Sequence, residues 1–357
     1  MQPASRIVVI GASAGGLESL KRLFDGMPAE FPGGVLVVLH IPAQAPSVLA
    51  RILERSGPLP VANAVDGGRI EAGHVYVAVS DRHLLVDGPY MRLSRGPKEN
   101  GFRPAVDALF RSAAYTLGQR VIGVVLSGQL DDGTSGLWAI KDRGGIAIVQ
   151  SPRDAQYPSM PMSALQHVRV DHVVDVAAMP ELLVELSRRS AAQPARVEGT
   201  AQPEITSMST DTAVSAGAGD KSVGPWSPFT CPECHGVLAE VQEGSIVRFR
   251  CHTGHTLSMQ SLIAAADECI DAGLWGVLRA LQEQSMLLRH AAALATNNPA
   301  EASDLERRAG ACDRGRDVMQ ALLRDQKNLN ERPAVAASVA RRDRKSTRLN
   351  SSHRTGS

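Results

Sequence analysis

Arg6-Ile7-Val8-Val9-Ile10-Gly11-Ala12-Ser13-Ala14-Gly15-Gly16 is the stretch on which the fold turns. Residues 7–10 are apolar without alternation, as a strand buried on both faces of a parallel sheet reads. Small residues follow, and 17–24 takes up helical spacing. A strand entering a helix through Gly11-x-Ser13-x-Gly15 matches the nucleophile elbow. Such a turn excludes bulk on either side of the serine. It projects the hydroxyl from the carboxyl end of the sheet, and N–H groups at the helix N-terminus face any negative charge that develops there. Two blander readings compete: a Gly-rich turn that binds phosphate, or one that merely closes a βα unit. Ser13 stands where a dinucleotide fingerprint needs glycine, and no Lys-Ser/Thr pair follows as in a P-loop.

Outward from this turn the pattern repeats. Strands are expected at 7–10, 35–39, 75–79, 121–126, 146–149 and 170–174, and helices at 17–24, 47–55, 105–117, 135–143 and 180–189. Residues 58–100 look hairpin-like, with Asp66-Gly67-Gly68 and Asp87-Gly88 as turns. This βαβα order predicts an α/β domain over 4–190, a doubly wound, mostly parallel sheet with helices on both faces. Residues 191–225 are rich in Ala, Ser, Thr, Gly and Pro and read as a flexible linker. A compact ribbon-like segment is expected at 226–258 and a helical region at 259–332, broken at Asn297-Asn298-Pro299. Residues 333–357 read as a disordered tail. Within it Arg344-Lys345-Ser346-Thr347-Arg348-Leu349-Asn350-Ser351-Ser352-His353 looks like translated sequencing adaptor, so the native C-terminus is expected to be missing.

Two further groups could join Ser13. The strand at 35–39 ends in His40-Ile41-Pro42, and the strand at 121–126 runs into Ser127-Gly128-Gln129-Leu130-Asp131-Asp132-Gly133. Taken singly, His40 could be satisfied by a backbone group, and Asp131 or Asp132 could cap a helix. Together they form a pattern, because parallel strands bring their carboxyl ends to one edge. An imidazole can there take the serine proton while a carboxylate orients it. The chain order Ser–His–Asp disfavours the α/β-hydrolase fold, which orders them Ser–Asp–His.

The runs around Ser13, His40 and Asp132, with Arg103-Pro104-Ala105-Val106-Asp107-Ala108-Leu109-Phe110 and Tyr157-Pro158-Ser159-Met160-Pro161, resemble the catalytic domain of bacterial chemotaxis protein-glutamate methylesterases (CheB). The resemblance implies Ser13 as nucleophile, His40 as general base and acid, and Asp132 as orienting carboxylate, with no cofactor for catalysis. Asp131 stands where the family usually has Asn and is the runner-up acid. The Gln129 N–H is the implied oxyanion donor; the family often has Met there and Gly at the position of Leu130. The implied reaction hydrolyses glutamate γ-methyl esters on the cytoplasmic helices of methylated chemoreceptors, with glutamine deamidation as a related activity. The family usually carries an N-terminal receiver domain. With the first strand at residue 6, none is expected here, and a separate signalling protein would have to regulate the enzyme.

The five cysteines, Cys231, Cys234, Cys251, Cys269 and Cys312, all lie in the C-terminal half, an odd count that does not read as a disulfide framework. Cys231, Cys234, Cys251 and His255 follow C-x2-C-x16-C-x3-H, spacing that suits a structural, four-ligand zinc ribbon, with His252 as the other candidate for the fourth ligand. Cys269 and Cys312 read as buried helical residues.

With 38 Lys+Arg against 37 Asp+Glu there is no basic field to draw nucleic acid. No apolar run reaches the roughly 18 residues of a membrane span, and the N-terminus lacks signal-peptide character, so a cytoplasmic protein without membrane insertion is expected. The competing function is a non-enzymatic signalling adaptor that keeps the fold and binds partners through the zinc and helical region.

Overall fold

The computed structural model describes residues 6–44, 48–189 and 224–350, with side chains described as far as 325. The linker expected at 191–225 lies almost wholly outside these residues. The chain divides into two compact units, Met1–Ala265 and Ala266–Ser357.

The first unit begins with β1 (Ile7–Ala12), α1 (Gly16–Asp25), β2 (Gly34–Leu39), α2 (Leu49–Glu54), β3 (Val61–Asn63) and β4 (Val75–Val77). A hairpin follows, β5 (His83–Asp87) and β6 (Tyr90–Ser94). Next come α3 (Val106–Leu117), β7 (Val121–Val125), α4 (Thr134–Asp142), β8 (Ile146–Gln150), α5 (Ser159–His167), β9 (His172–Val174) and α6 (Met179–Arg188). Seven strands form one sheet in the order β3-β4-β2-β1-β7-β8-β9. Every pairing in it is parallel.

Alternation along the central strands sorts the core into two layers, since successive side chains point to opposite faces. Ile7 and Val9 of β1 join Leu109 and Phe110 of α3, Leu137 and Ile140 of α4 and Met160 of α5. Val8 and Ile10 face the other way, onto Leu20 and Leu23 of α1, Leu53 of α2 and Leu183 and Leu186 of α6. This is the doubly wound α/β arrangement expected from the apolar runs. β1 lies between β2, which follows it in the chain, and β7, which comes much later. The strand order reverses there, and such a point opens a crevice at the carboxyl ends of the strands.

A second sheet belongs to the same unit: β10 (Trp226–Thr230), β11 (Val237–Glu243), β12 (Ile246–Cys251) and β13 (Thr256–Ser258), antiparallel throughout. Its core is small: Cys231, Leu238, Phe249, Cys251 and Leu257.

The remaining elements are α7 (Met259–Leu294) and α8 (Pro299–Asn350). Within the second unit they pair through Leu281, Leu288, Leu305, Ala309 and Cys312. Cys312 is buried as expected, whereas Cys269 is exposed, a correction: its turn of α7 buries no apolar face. Asn298 caps α8, its Oδ1 accepting the Glu301 N–H at 3.3 Å and its amide donating to Glu301 Oε2 at 3.1 Å, with Pro299 at the first helical position. The tail is a second difference. α8 runs on to Asn350, across much of the stretch expected to be disordered, because residues 334–342 are rich in Ala and Arg, which favour helix without any apolar face.

Candidate active site

Three strand ends supply the site. Ser13 follows β1, His40 follows β2, and Asp132 lies in the loop after β7. The elbow is closed by the Ser13 N–H donating to the Ser127 carbonyl at 3.0 Å and the Gly16 N–H donating to the Ser13 carbonyl at 2.9 Å. Gly15 sits at φ 68°, a left-handed conformation that costs a side chain about 1–2 kcal/mol, and a Cβ there would come within 2.8 Å of both Gln156 and Ser127.

The structure brings the three predicted side chains into one hydrogen-bonded chain. His40 Nδ1 lies 3.1 Å from Ser13 Oγ, and His40 Nε2 lies 2.7 Å from Asp132 Oδ2. An ionised Asp132 can only accept, so the proton sits on Nε2 and leaves Nδ1 free to take the serine proton. The ring is clamped by Phe102, stacked at 3.7 Å between centroids and 8° between planes.

Asp132 is 1% exposed, and five donors converge on it. Oδ2 accepts from His40 and from the Val106 N–H at 2.7 Å; Oδ1 accepts from Asn100 Nδ2 at 2.9 Å, the Gly133 N–H at 3.0 Å and the Asp107 N–H at 3.1 Å. Burial by itself would raise this carboxyl, but the hydrogen bonds from His40, Val106 and Asn100 outweigh it and hold the group well below the ordinary carboxylate range. Val106 and Asp107 are the first residues of α3, whose capping position is Ala105 and has no side-chain cap. Asp132 thus caps α3 from another loop. Gly11 makes this approach feasible: a Cβ there would lie 2.1 Å from Val106 Cγ1.

Asp131 turns away from the histidine. Its Oδ1 accepts the Ser258 hydroxyl at 2.7 Å and the Ser261 hydroxyl at 3.4 Å, and burial raises it despite those bonds. The Gln129 N–H has no hydrogen-bond partner among the described residues, and the side chain is exposed beside the elbow. Leu130 takes φ 59°, which accounts for glycine being usual at that position in the resembled family.

Sequence reasoning missed Asn100, Phe102 and the α3 N-terminus. The signal for Asn100 was faint: an Asn-Gly pair reads as a turn, and only the tertiary contacts aim its amide at Asp132.

The second sheet gathers Cys231, Cys234, Cys251 and His255, with all four ligand atoms within 4.8 Å of one another. Cys234 Sγ lies 3.5 Å from Cys251 Sγ, and His255 Nδ1 lies 3.6 Å from Cys251 Sγ and 3.7 Å from Cys231 Sγ. Sulfurs bonded to each other would be about 2.05 Å apart. A tetrahedral zinc site with Zn–S of about 2.3 Å has edges of about 3.6–3.8 Å, so the donor set fits that ion. His252 is outside the cluster; its ring covers Gly236, and its Nε2 meets Thr253 Oγ1 at 3.3 Å.

Among the described residues no helix is long and apolar enough to cross a membrane.

Comparison with known proteins gives a consistent picture. The family model described as CheB methylesterase matches residues 8–183. A Leptospira interrogans protein named "Putative protein-glutamate methylesterase/protein-glutamine glutaminase" is 35% identical over 187 residues, which are 52% of this chain and 97% of that protein. A Pyrococcus abyssi protein-glutamate methylesterase/protein-glutamine glutaminase is 37% identical over 186 residues, 51% of this chain but only 50% of the relative. The crystal structure of the Thermotoga maritima CheB methylesterase catalytic domain is 34% identical, with a TM-score of 0.49, and the match covers 51% of this chain and 98% of that one.

Proposed function

Since the chain belongs to the CheB methylesterase family, we propose that it is a protein-glutamate methylesterase in which Ser13, His40 and Asp132 carry out the reaction. The observation that carries this reading is the hydrogen-bonded chain Ser13–His40–Asp132, at 3.1 and 2.7 Å.

The Ser13 hydroxyl attacks the γ-carbonyl of a glutamate methyl ester while His40 Nδ1 takes its proton. Asp132 stabilises the imidazolium through Nε2. Negative charge on the carbonyl oxygen is met by the Gln129 N–H. His40 then protonates the departing methoxide, methanol leaves, and a γ-glutamyl ester of Ser13 remains. Water activated by His40 hydrolyses that ester, restoring the glutamate and the serine. With a glutamine side chain the same steps release ammonia.

The substrate implied is a methylated helical segment of a chemoreceptor on the cytoplasmic side, and the enzyme would act in the cytoplasm. No catalytic cofactor takes part in these steps. Cys231, Cys234, Cys251 and His255 would hold a structural zinc, which supplies folding energy to a sheet with little core. The names of the relatives favour the enzyme over a non-enzymatic adaptor.

The test is release of methanol from methylated receptor fragments. Wild-type protein is expected to release it, and Ser13→Ala to lower kcat by about 10⁴-fold or more. Equal release by both proteins would refute the assigned nucleophile.

A further inference from the structure

Asn100 links the catalytic carboxylate to the cysteine-bearing sheet. It is 4% exposed and held at φ 52°. Its amide Nδ2 donates to Asp132 Oδ1 at 2.9 Å and to Asp107 Oδ2 at 3.1 Å. Its Oδ1 accepts the backbone N–H of Ser258, the last residue of β13, at 2.9 Å. The Asn100 N–H donates to the Thr256 carbonyl at 2.7 Å, and Thr256 follows the cluster residue His255 directly. One amide therefore touches both the triad and a strand that begins at the cysteine cluster.

Other contacts tie the same two regions. Arg248 of β12, 1% exposed, reaches across to Glu99 at 2.9 Å and Asp107 at 3.6 Å. Lys98 pairs at 2.9 Å with Glu233, which lies between Cys231 and Cys234. The segment that presents Asn100 is thus gripped by both halves of the cysteine cluster.

We propose that the sheet formed by residues 226–258 braces the active site: Asn100 is a positioning residue, held by Ser258 and holding Asp132, so that zinc in the cysteine cluster sets the rate of ester hydrolysis. The proposal rests on the catalytic reading of Ser13, His40 and Asp132 given above. A sheet with five buried core side chains depends on its metal to stay folded. Without the metal, β13 loosens, the Ser258 N–H leaves Asn100, and the amide is no longer fixed on Asp132. The carboxylate keeps its bonds from Val106, Asp107 and Gly133, so the rate falls without being abolished.

The test is a cycle on the full-length chain: wild type and Asn100→Ala, each zinc-loaded and after chelation. Two readouts are taken, methanol release and the low-field proton resonance of the His40 Nε2–H bonded to Asp132. Chelation of wild type is expected to lower kcat by about tenfold with KM changed less than about twofold, and to shift the resonance; added zinc restores both. Asn100→Ala should show the same loss with zinc bound, and chelation should then add nothing, because the two changes break one linkage. The proposal is overturned if the chain binds no zinc, if metal-free wild type keeps its rate and resonance, or if chelation slows Asn100→Ala as much as wild type. Should Asn100→Ala fail to fold by circular dichroism, Asn100→Ser takes its place. If wild type and Ser13→Ala release methanol equally, the esterase reading fails, and the resonance alone decides whether the brace exists.

Discussion

Asp132 does two jobs at the residue scale. It accepts from His40 Nε2, and its oxygens also accept the Val106 and Asp107 N–H groups that α3 cannot satisfy for itself. Changing Asp132 to Asn replaces an acceptor with an amide donor and removes the charge that fixes the histidine proton. A loss in kcat on the order of 10⁴ is expected in the methanol-release assay. Gly11 is the less obvious residue. Gly11→Ala puts a Cβ 2.1 Å from Val106 Cγ1, so Val106, whose N–H Asp132 accepts, must shift. Thermal denaturation should show a cost of about 1–3 kcal/mol, and kcat should fall with it. Ser13, His40 and Asp132 were legible in the sequence because each lies in the small or polar stretch that follows an apolar run. Phe102, which stacks on His40, was not, since nothing local distinguishes an aromatic that clamps a ring from one that fills a core.

At the scale of elements, the unbroken apolar runs identified parallel strands, and the sheet contains them at nearly the expected positions. The short edge strand β3 was missed: its three residues are half-buried or exposed and carry no periodic signal. So was α5, where Pro158 and Pro161 mask a helix that starts just after the first of them. The second sheet is where metal should matter most. Elemental analysis is expected to find about one zinc per chain, and Cys231→Ser to remove it and expose the sheet to proteolysis. A folded, protease-resistant, metal-free protein would contradict this.

For the first unit as a whole, the interior carries a buried charge network joining the antiparallel sheet to α3 and the segment before it. Glu99 is flanked by Arg111 at 2.6 Å and Arg248 at 2.9 Å, and Arg248 also faces Glu243 at 3.7 Å. Burial alone would raise Glu99, but the two guanidinium groups bring it down to about 2 from 4.5. A depressed folded pKa adds stability that is complete above about 4.5 and is lost as pH falls toward about 2. Urea midpoints measured down that range should fall for wild type and fall less for Glu99→Gln, which starts lower at neutral pH. Arg248→Met strands buried carboxylates and should cost about 3–5 kcal/mol; an unchanged urea midpoint would show that the network contributes nothing. From the sequence alone came the α/β class, the three strand-end groups and the Cys/His set spaced as metal ligands are. These are legible because strand periodicity, turn chemistry and ligand spacing are local properties of the chain. Strand pattern alone left Asp131 and Asp132 open and the family resemblance implied Asp132; only the tertiary structure showed Asp131 turned to Ser258, Asn100 joining the triad to a distant strand, and Arg248 buried among acids. Those outcomes depend on contacts between residues far apart in the chain, 92 positions for His40 and Asp132 and 158 for Asn100 and Ser258, and these are set by how layers pack.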